Sequence, residues 1–206
     1  MPATATAPLR VRVHYDFASS LCYVAHRVMQ RMAGELAALD VALAWTPLDL
    51  ARLVGPYQAG AELPSSRREN ALRVASELGV ALTVPRIWPD SSALNAAAFS
   101  AERAGRGETW RERVFTALFE EGRGALADDD VLGLAREIEL PLDARDLARG
   151  RNELEVKTEL AREEQVSGVP TFMLGTWPFG GIQTEDTMRR VLERYVRKLQ
   201  SGEISA

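Results

Sequence analysis

The chain has 206 residues, 46% hydrophobic and 26% charged, with 25 basic against 29 acidic residues and a net charge of −4. Such a chain can bury a core without disulfide or metal staples, and its slight acidity excludes a general nucleic-acid binder, which carries a basic face. One cysteine, Cys22, and two histidines, His14 and His26, exclude an intramolecular disulfide and a multi-cysteine metal centre, so no metal is expected.

The opening MPATATAPLRVRV lacks the basic and apolar run of a secretory leader, and no window is apolar enough to span a bilayer. The expectation is a cytoplasmic protein without membrane partners, in a compartment where a lone thiol stays free. From Leu9 to Tyr15, apolar residues alternate with Arg10, Arg12 and His14, the period of a strand. DFASS breaks the alternation, and Leu21 to about Ala38 then carries apolar residues at helical spacing, with Ser19 or Ser20 as the N-cap. Val41 to Trp45 reads as a second strand closed by Pro47.

Gly55, Pro56, Gly60 and Pro64 mark a loop, and from about Ser65 to Glu164 strand signals nearly vanish. SRRENALRVASELG, ALNAAAFSAERAG, ETWRERVFTALFEEG, DDVLGLAREIEL and ARDLARGRNELEVKTELAREEQ read as amphipathic helices, with ALTVPRIWPDSS running extended among them. The RRENALR and RERVF runs read as solvated helix faces. Strand character returns at Val169 to Leu174, Gly175-Thr176 supply a turn before a short Trp177-Pro178-Phe179 strand, and a last amphipathic helix begins at Thr184 to Asp186. The two flanking parts can close into one small mixed sheet around the helical block.

Two segments stand where chemistry collects: DFASSLCY at a strand-to-helix junction and SGVPTF at a later strand start. Unpaired N–H groups and the macrodipole at a helix N-terminus favour anions, so a thiol in the first turn ionises more readily, and the same donors suit the thiolate of a bound ligand. Spacing alone does not choose between these.

DFASSLCY resembles the D-F-x-C-x-x-C-Y segment of DsbA-like proteins, SGVPTF resembles the segment bearing that family's cis-proline, and Gly181-Ile182-Gln183 is similar to its G-A-Q element. The branches it resembles are the FrnE-like oxidoreductases, the 2-hydroxychromene-2-carboxylate isomerases and the kappa-class glutathione transferases, over about Arg10 to Leu199. The resemblance implies an α/β thioredoxin fold (β-α-β … β-β-α) with an inserted all-helical domain: residues 8–50 and 165–200 as the two halves and 51–164 as the insertion. Where the family has C-x-x-C, this chain reads Ser19-Ser20-Leu21-Cys22, so it cannot run a dithiol cycle alone.

The resemblance implies that the Ser19 hydroxyl bonds the sulfur of bound glutathione; a plain helix cap is the other reading, and one residue can do both. Cys22 is either a small buried hydrophobe or a reactive thiol in the first turn. Val169-Pro170 is implied to be cis, with Val169 offering its backbone to an extended thiol peptide. Gln183, Thr184 and Glu185 begin the last helix, where the related enzymes place γ-glutamyl contacts and where an ordinary helix cap is the other reading. Asn95 resembles an asparagine that faces the cleft, with a plain helix N-terminus as its alternative. His26 reads as solvated and His14 as structural, pointing outward from its strand. The four tryptophans read as core or cleft residues, with Trp88 the one to line a substrate pocket.

The function expected is that of a DsbA-like oxidoreductase-family protein without the dithiol, handling a small thiol, with glutathione as the possible cofactor, for transfer, reduction or isomerisation. Its partners are then that thiol and a small-molecule or protein-disulfide substrate, with a homodimer left open. The alternatives are a monothiol disulfide oxidoreductase using Cys22, and a non-catalytic peptide-binding module.

Overall fold

The computed structural model describes residues 7–55, 59–124 and 126–204. Strand β1 (Leu9–Tyr15) sits inside a four-stranded sheet of order β2-β1-β3-β4. It pairs in parallel with β2 (Val41–Pro47), from Leu9 opposite Val41 to Tyr15 opposite Pro47. A parallel pair needs a crossover, and α1 (Ser20–Arg31) with α2 (Ala33–Ala38) provides it. The single helix expected to about Ala38 is broken at Met32 (φ −83°, ψ 6°), with Gly34, a weak helix former, just beyond. β2 is an edge strand, so the missing N–H of Pro47 is tolerated there.

The insertion holds α3 (Leu50–Val54), α4 (Ser65–Glu77), α5 (Ser92–Arg103), α6 (Gly107–Phe119), α7 (Asp128–Glu137) and α8 (Ala144–Glu163). Five of these follow the amphipathic runs. The short α3 does not, and its start is fixed by Asp49, whose side chain accepts the Arg52 N–H at 3.0 Å. The two-proline segment runs extended and pairs with residues 60–63: Trp88 N–H reaches the Ala61 carbonyl at 2.7 Å and Leu63 N–H the Arg86 carbonyl at 2.9 Å. Helices α5 and α8 pack so closely that a Cβ on Gly150 would stand 2.3 Å from the Ala96 carbonyl oxygen.

β3 (Thr171–Leu174) lies antiparallel to β1 and β4 (Trp177–Gly180) antiparallel to β3, joined through Gly175 at φ +66°. A two-residue hairpin favours such a backbone, which glycine adopts without a steric penalty. α9 (Glu185–Gln200) follows, capped by the Thr184 side chain. One apolar cluster runs from Val11, Val13 and Val28 through Leu94, Trp110, Phe115 and Leu147 to Phe172 and Leu192, uniting the sheet, its helices and the insertion.

Four sequence expectations are corrected or refined by packing. His14, read as outward on its strand and structural, is buried where the end of α8 meets β1: Glu164 Oε2 lies 3.8 Å from its Nε2, and burial, with Arg12 and Lys157 adding to it, lowers its pKa to about 4. His26 is not solvated; it is buried between Trp45 and Phe115, with Nε2 3.0 Å from Glu112 Oε2. Arg111, in the RERVF run, is buried over the Trp45 ring and paired with Glu102. Trp177, expected in core or cleft, is 58% exposed on the edge strand β4.

Candidate functional site

The turn between β1 and α1 is built by its own polar groups. The Asp16 carbonyl accepts the Ser19 N–H at 3.0 Å, and the Asp16 carboxyl accepts the Ala18 N–H at 2.8 Å. Ser19 then leaves helical geometry (φ −90°, ψ 111°) and caps α1, its Oγ accepting the Cys22 N–H at 3.4 Å. An N-cap satisfies only part of the first turn. Among the described residues, the N–H groups of Ser20 and Leu21 find no acceptor.

Those two residues and Ser19 line a cleft of about 270 Å³, and Val169 lines it with them. The Val169–Pro170 peptide is cis. Pro170 itself is buried, its carbonyl accepting the Gly181 N–H at 2.7 Å, and Thr171 Oγ1 donates to the Gly168 carbonyl at 2.8 Å. The N–H and C=O of Val169 have no partner among the described residues. Ser19 and Val169, brought together from either side of the insertion, thus present one hydroxyl, two free amides and one free peptide edge to a single space.

The far wall comes from the insertion: Leu50 and Val54 of α3, Leu63, Arg67, Asn70 and Ala71 at α4, Pro85, Trp88 and Pro89, and Phe119 of α6. Trp88 therefore stands in the pocket lining. Arg67 is the one charged side chain among the described lining residues, and none of them is acidic. A helix N-terminus with two unpaired amides, in a lining without acidic side chains, favours an anion. Arg67 and Asn70 come from the RRENALR run and are exposed, as expected of a solvated face, while bordering the cleft. Their spacing of three with Ala71, which puts two polar residues and one small residue on one side of α4, is the signal that marks them.

Cys22 departs from the activated thiol of the sequence reading. Its side chain is fully buried, and burial pushes its pKa up to about 12 against the opposing hydrogen bonds from Ser19 and the Asp16 backbone. Three residues into α1 the helix has turned the thiol toward the core, where charge is costly. Asn95 likewise does not face the cleft. It is buried in α5, its Oδ1 accepting the Phe17 N–H at 3.2 Å and its Nδ2 donating to the Leu48 carbonyl at 3.0 Å. Nor do Gln183, Thr184 and Glu185 join Ser19. Thr184 caps α9 by accepting the Thr187 N–H at 3.3 Å, Gln183 is exposed, and Glu185 accepts from Arg31 Nε at 2.6 Å. Arg31 ends the 12-residue α1, roughly 18 Å along its axis from the Ser19 cap.

Among the described residues no helix is long and apolar enough to cross a membrane, and no group of three or more His, Cys, Asp or Glu side chains is placed to hold a metal. The protein-family model of the DSBA-like thioredoxin domain matches residues 10–193. A curated relative, the uncharacterized protein YwbO of Bacillus subtilis (strain 168), is 24% identical over 207 residues, 92% of this chain and 98% of YwbO. Three solved structures share the fold. A 2-hydroxychromene-2-carboxylate isomerase superposes with a TM-score of 0.68 at 22% identity, over 96% of this chain and 100% of that one. The probable DsbA oxidoreductase SCO1869 from Streptomyces coelicolor gives 0.73 at 17%, over 96% and 92%. The cytosolic disulfide reductase DsbM from Pseudomonas aeruginosa, solved with GSH, gives 0.64 at 19%, over 92% and 100%. With the matched span covering most of the chain and the mixed sheet carrying the inserted helices, the protein belongs to the DSBA-like thioredoxin domain family, and does so with a single cysteine.

Proposed function

We propose that this DsbA-family member is a cytoplasmic enzyme that works with a small thiol, glutathione being the thiol its cleft suits, rather than with a dithiol of its own. The observation that carries this reading is the meeting of Ser19, the unpaired amides of Ser20 and Leu21, and the unpaired Val169 backbone in one cleft. Ser19 Oγ accepts from Cys22 and so keeps its own proton to donate to sulfur. The two amides hold negative charge there, which favours thiolate over thiol as the thiol proton passes to water. Val169 pairs with the peptide part of the ligand like an added strand, and Trp88 with Phe119 supplies apolar wall that keeps water from the sulfur.

Bound in this way, the thiol supplies the nucleophilic sulfur for group transfer, disulfide reduction or isomerisation of a small conjugated compound. Two neighbours of the same fold point the same way: one is a disulfide reductase solved with GSH, the other an isomerase. The deep burial of Cys22 weighs against a monothiol cycle at that residue. Calorimetric titration with reduced glutathione tests the proposal. Binding to the parent that weakens about tenfold in Ser19→Ala, the loss of one hydrogen bond to a charged group, is the expected result. No binding to the parent removes the glutathione reading, and unchanged binding in the variant removes Ser19 from it.

A further inference from the structure

Two buried polar side chains sit behind the cleft, and both bridge the same two stretches of backbone. Asp16 Oδ1 accepts the Ala18 N–H at 2.8 Å and Asp16 Oδ2 the Leu50 N–H at 2.8 Å. Asn95 Oδ1 accepts the Phe17 N–H at 3.2 Å, and Asn95 Nδ2 donates to the Leu48 carbonyl at 3.0 Å. One stretch, Phe17–Ala18, leads directly into the Ser19 cap. The other, Leu48–Leu50, opens α3, whose Leu50 and Val54 form the opposite wall.

Neither side chain lines the cleft, and both are shielded from water, Asp16 at 1% and Asn95 at 0% exposure. Buried polar groups of this kind persist when fully paired, and every polar atom here is spent on holding the two walls. Asn95 belongs to α5, so the insertion itself reaches in to fasten the turn through the Phe17 N–H.

We propose that Asp16 and Asn95 are positioning residues that cross-brace the α1 cap to the α3 wall, and so set where Ser19 and the Ser20 and Leu21 amides stand relative to a bound sulfur. The proposal rests on the small-thiol reading above. Donors preorganised around a developing charge lose their advantage when they shift by a fraction of an ångström, whereas contacts to the rest of a ligand tolerate such a shift. The brace therefore governs discrimination for the thiolate more than binding as a whole.

The test compares glutathione with S-methylglutathione, which cannot form a thiolate, in the parent, Asn95→Ala and Asp16→Asn, with thermal unfolding and amide hydrogen exchange followed in each. The parent is expected to prefer glutathione by about tenfold or more, and the preference is expected to collapse toward unity in either variant that remains folded. A variant that weakens both ligands by the same factor, or neither, overturns the proposal. If the parent binds no glutathione, the thiol reading fails and hydrogen exchange alone decides the brace. Loss of protection by about tenfold at both the Ala18 and Leu50 amides in Asn95→Ala, whose side chain touches neither amide, supports it, in line with the loss of one buried hydrogen bond. Unchanged protection there overturns it.

Discussion

Ser19 and Cys22 share a hydrogen bond, Ser19 Oγ accepting the Cys22 N–H at 3.4 Å, yet their side chains have opposite fates: the hydroxyl lines the cleft and the thiol is sealed in the core. In a C-x-x-C protein these two positions would share the chemistry. Here the geometry divides them into a ligand contact and a packing residue.

That division predicts an unreactive thiol. Cys22 in the native protein is expected to resist iodoacetamide at pH 7 to 8, since burial pushes its pKa up to about 12, and to label fully in denaturant. Stoichiometric labelling of the folded protein near neutrality would contradict this. Cys22→Ala is expected to cost about 1 kcal/mol of stability as a small buried apolar group, with thiol binding retained.

Burial of His14 gives stability a pH dependence of definite sign. Its folded pKa is lowered to about 4 from 6.5, chiefly by desolvation, so the unfolded state takes up the proton first. Its contribution is fully present above pH 6.5 and is lost as pH falls toward about 4, on the order of 3 kcal/mol across that window. Urea unfolding from pH 7 to 4 should show the slope, and His14→Gln should flatten it. An equally steep slope in the variant would assign the effect elsewhere.

Glu112 acts in a lower window. Arg27, Gln30 and His26 bond its carboxyl and, outweighing the desolvation that opposes them, hold its pKa near 2, below the ordinary 4.5. The α1–α6 contact it makes is therefore complete above about pH 4.5 and is lost as pH falls toward 2. Glu112→Gln is expected to lower the unfolding temperature at pH 7 and to narrow the gap from the parent at pH 3, as circular dichroism melts will show.

Gly150→Ala isolates a packing constraint. The added methyl would meet the Ala96 carbonyl oxygen at 2.3 Å, and backbone must move to admit it. Helix propensity favours alanine by about 1 kcal/mol, but overpacking of this kind costs more. A net loss of about 2 kcal/mol in urea unfolding is expected, and a stabilised variant would show that α8 can slide on α5.

The sheet, the first and last helices, five of the inserted helices and the cap were legible because each follows from local pattern: Val11 and Val13 alternate, Ser19 precedes a helical stripe, and Gly175 marks a hairpin. What pattern does not encode is whether a second layer covers a polar face. The alternation around His14 says which way the ring points, and only the segments packed there, the end of α8 among them, make that direction an interior. Asn95 was singled out, yet its partners Phe17 and Leu48 lie in distant segments that no spacing connects. Arg67 is exposed as its charged helix face implies, but such a face reads the same whether or not it borders a concave wall. Cys22 was legible in part, since Met29, seven residues on, shares its side of α1 and is buried as well.

The apolar cluster that passes from the sheet into the inserted helices has a thermodynamic consequence. With Phe17 set edge to face against both Tyr15 and Phe115 across the junction, neither part has a finished interior by itself. Heat should therefore dismantle them in one cooperative transition, with calorimetric and van't Hoff enthalpies in agreement, and a gene deletion that removes only the inserted helices should leave the remaining polypeptide molten.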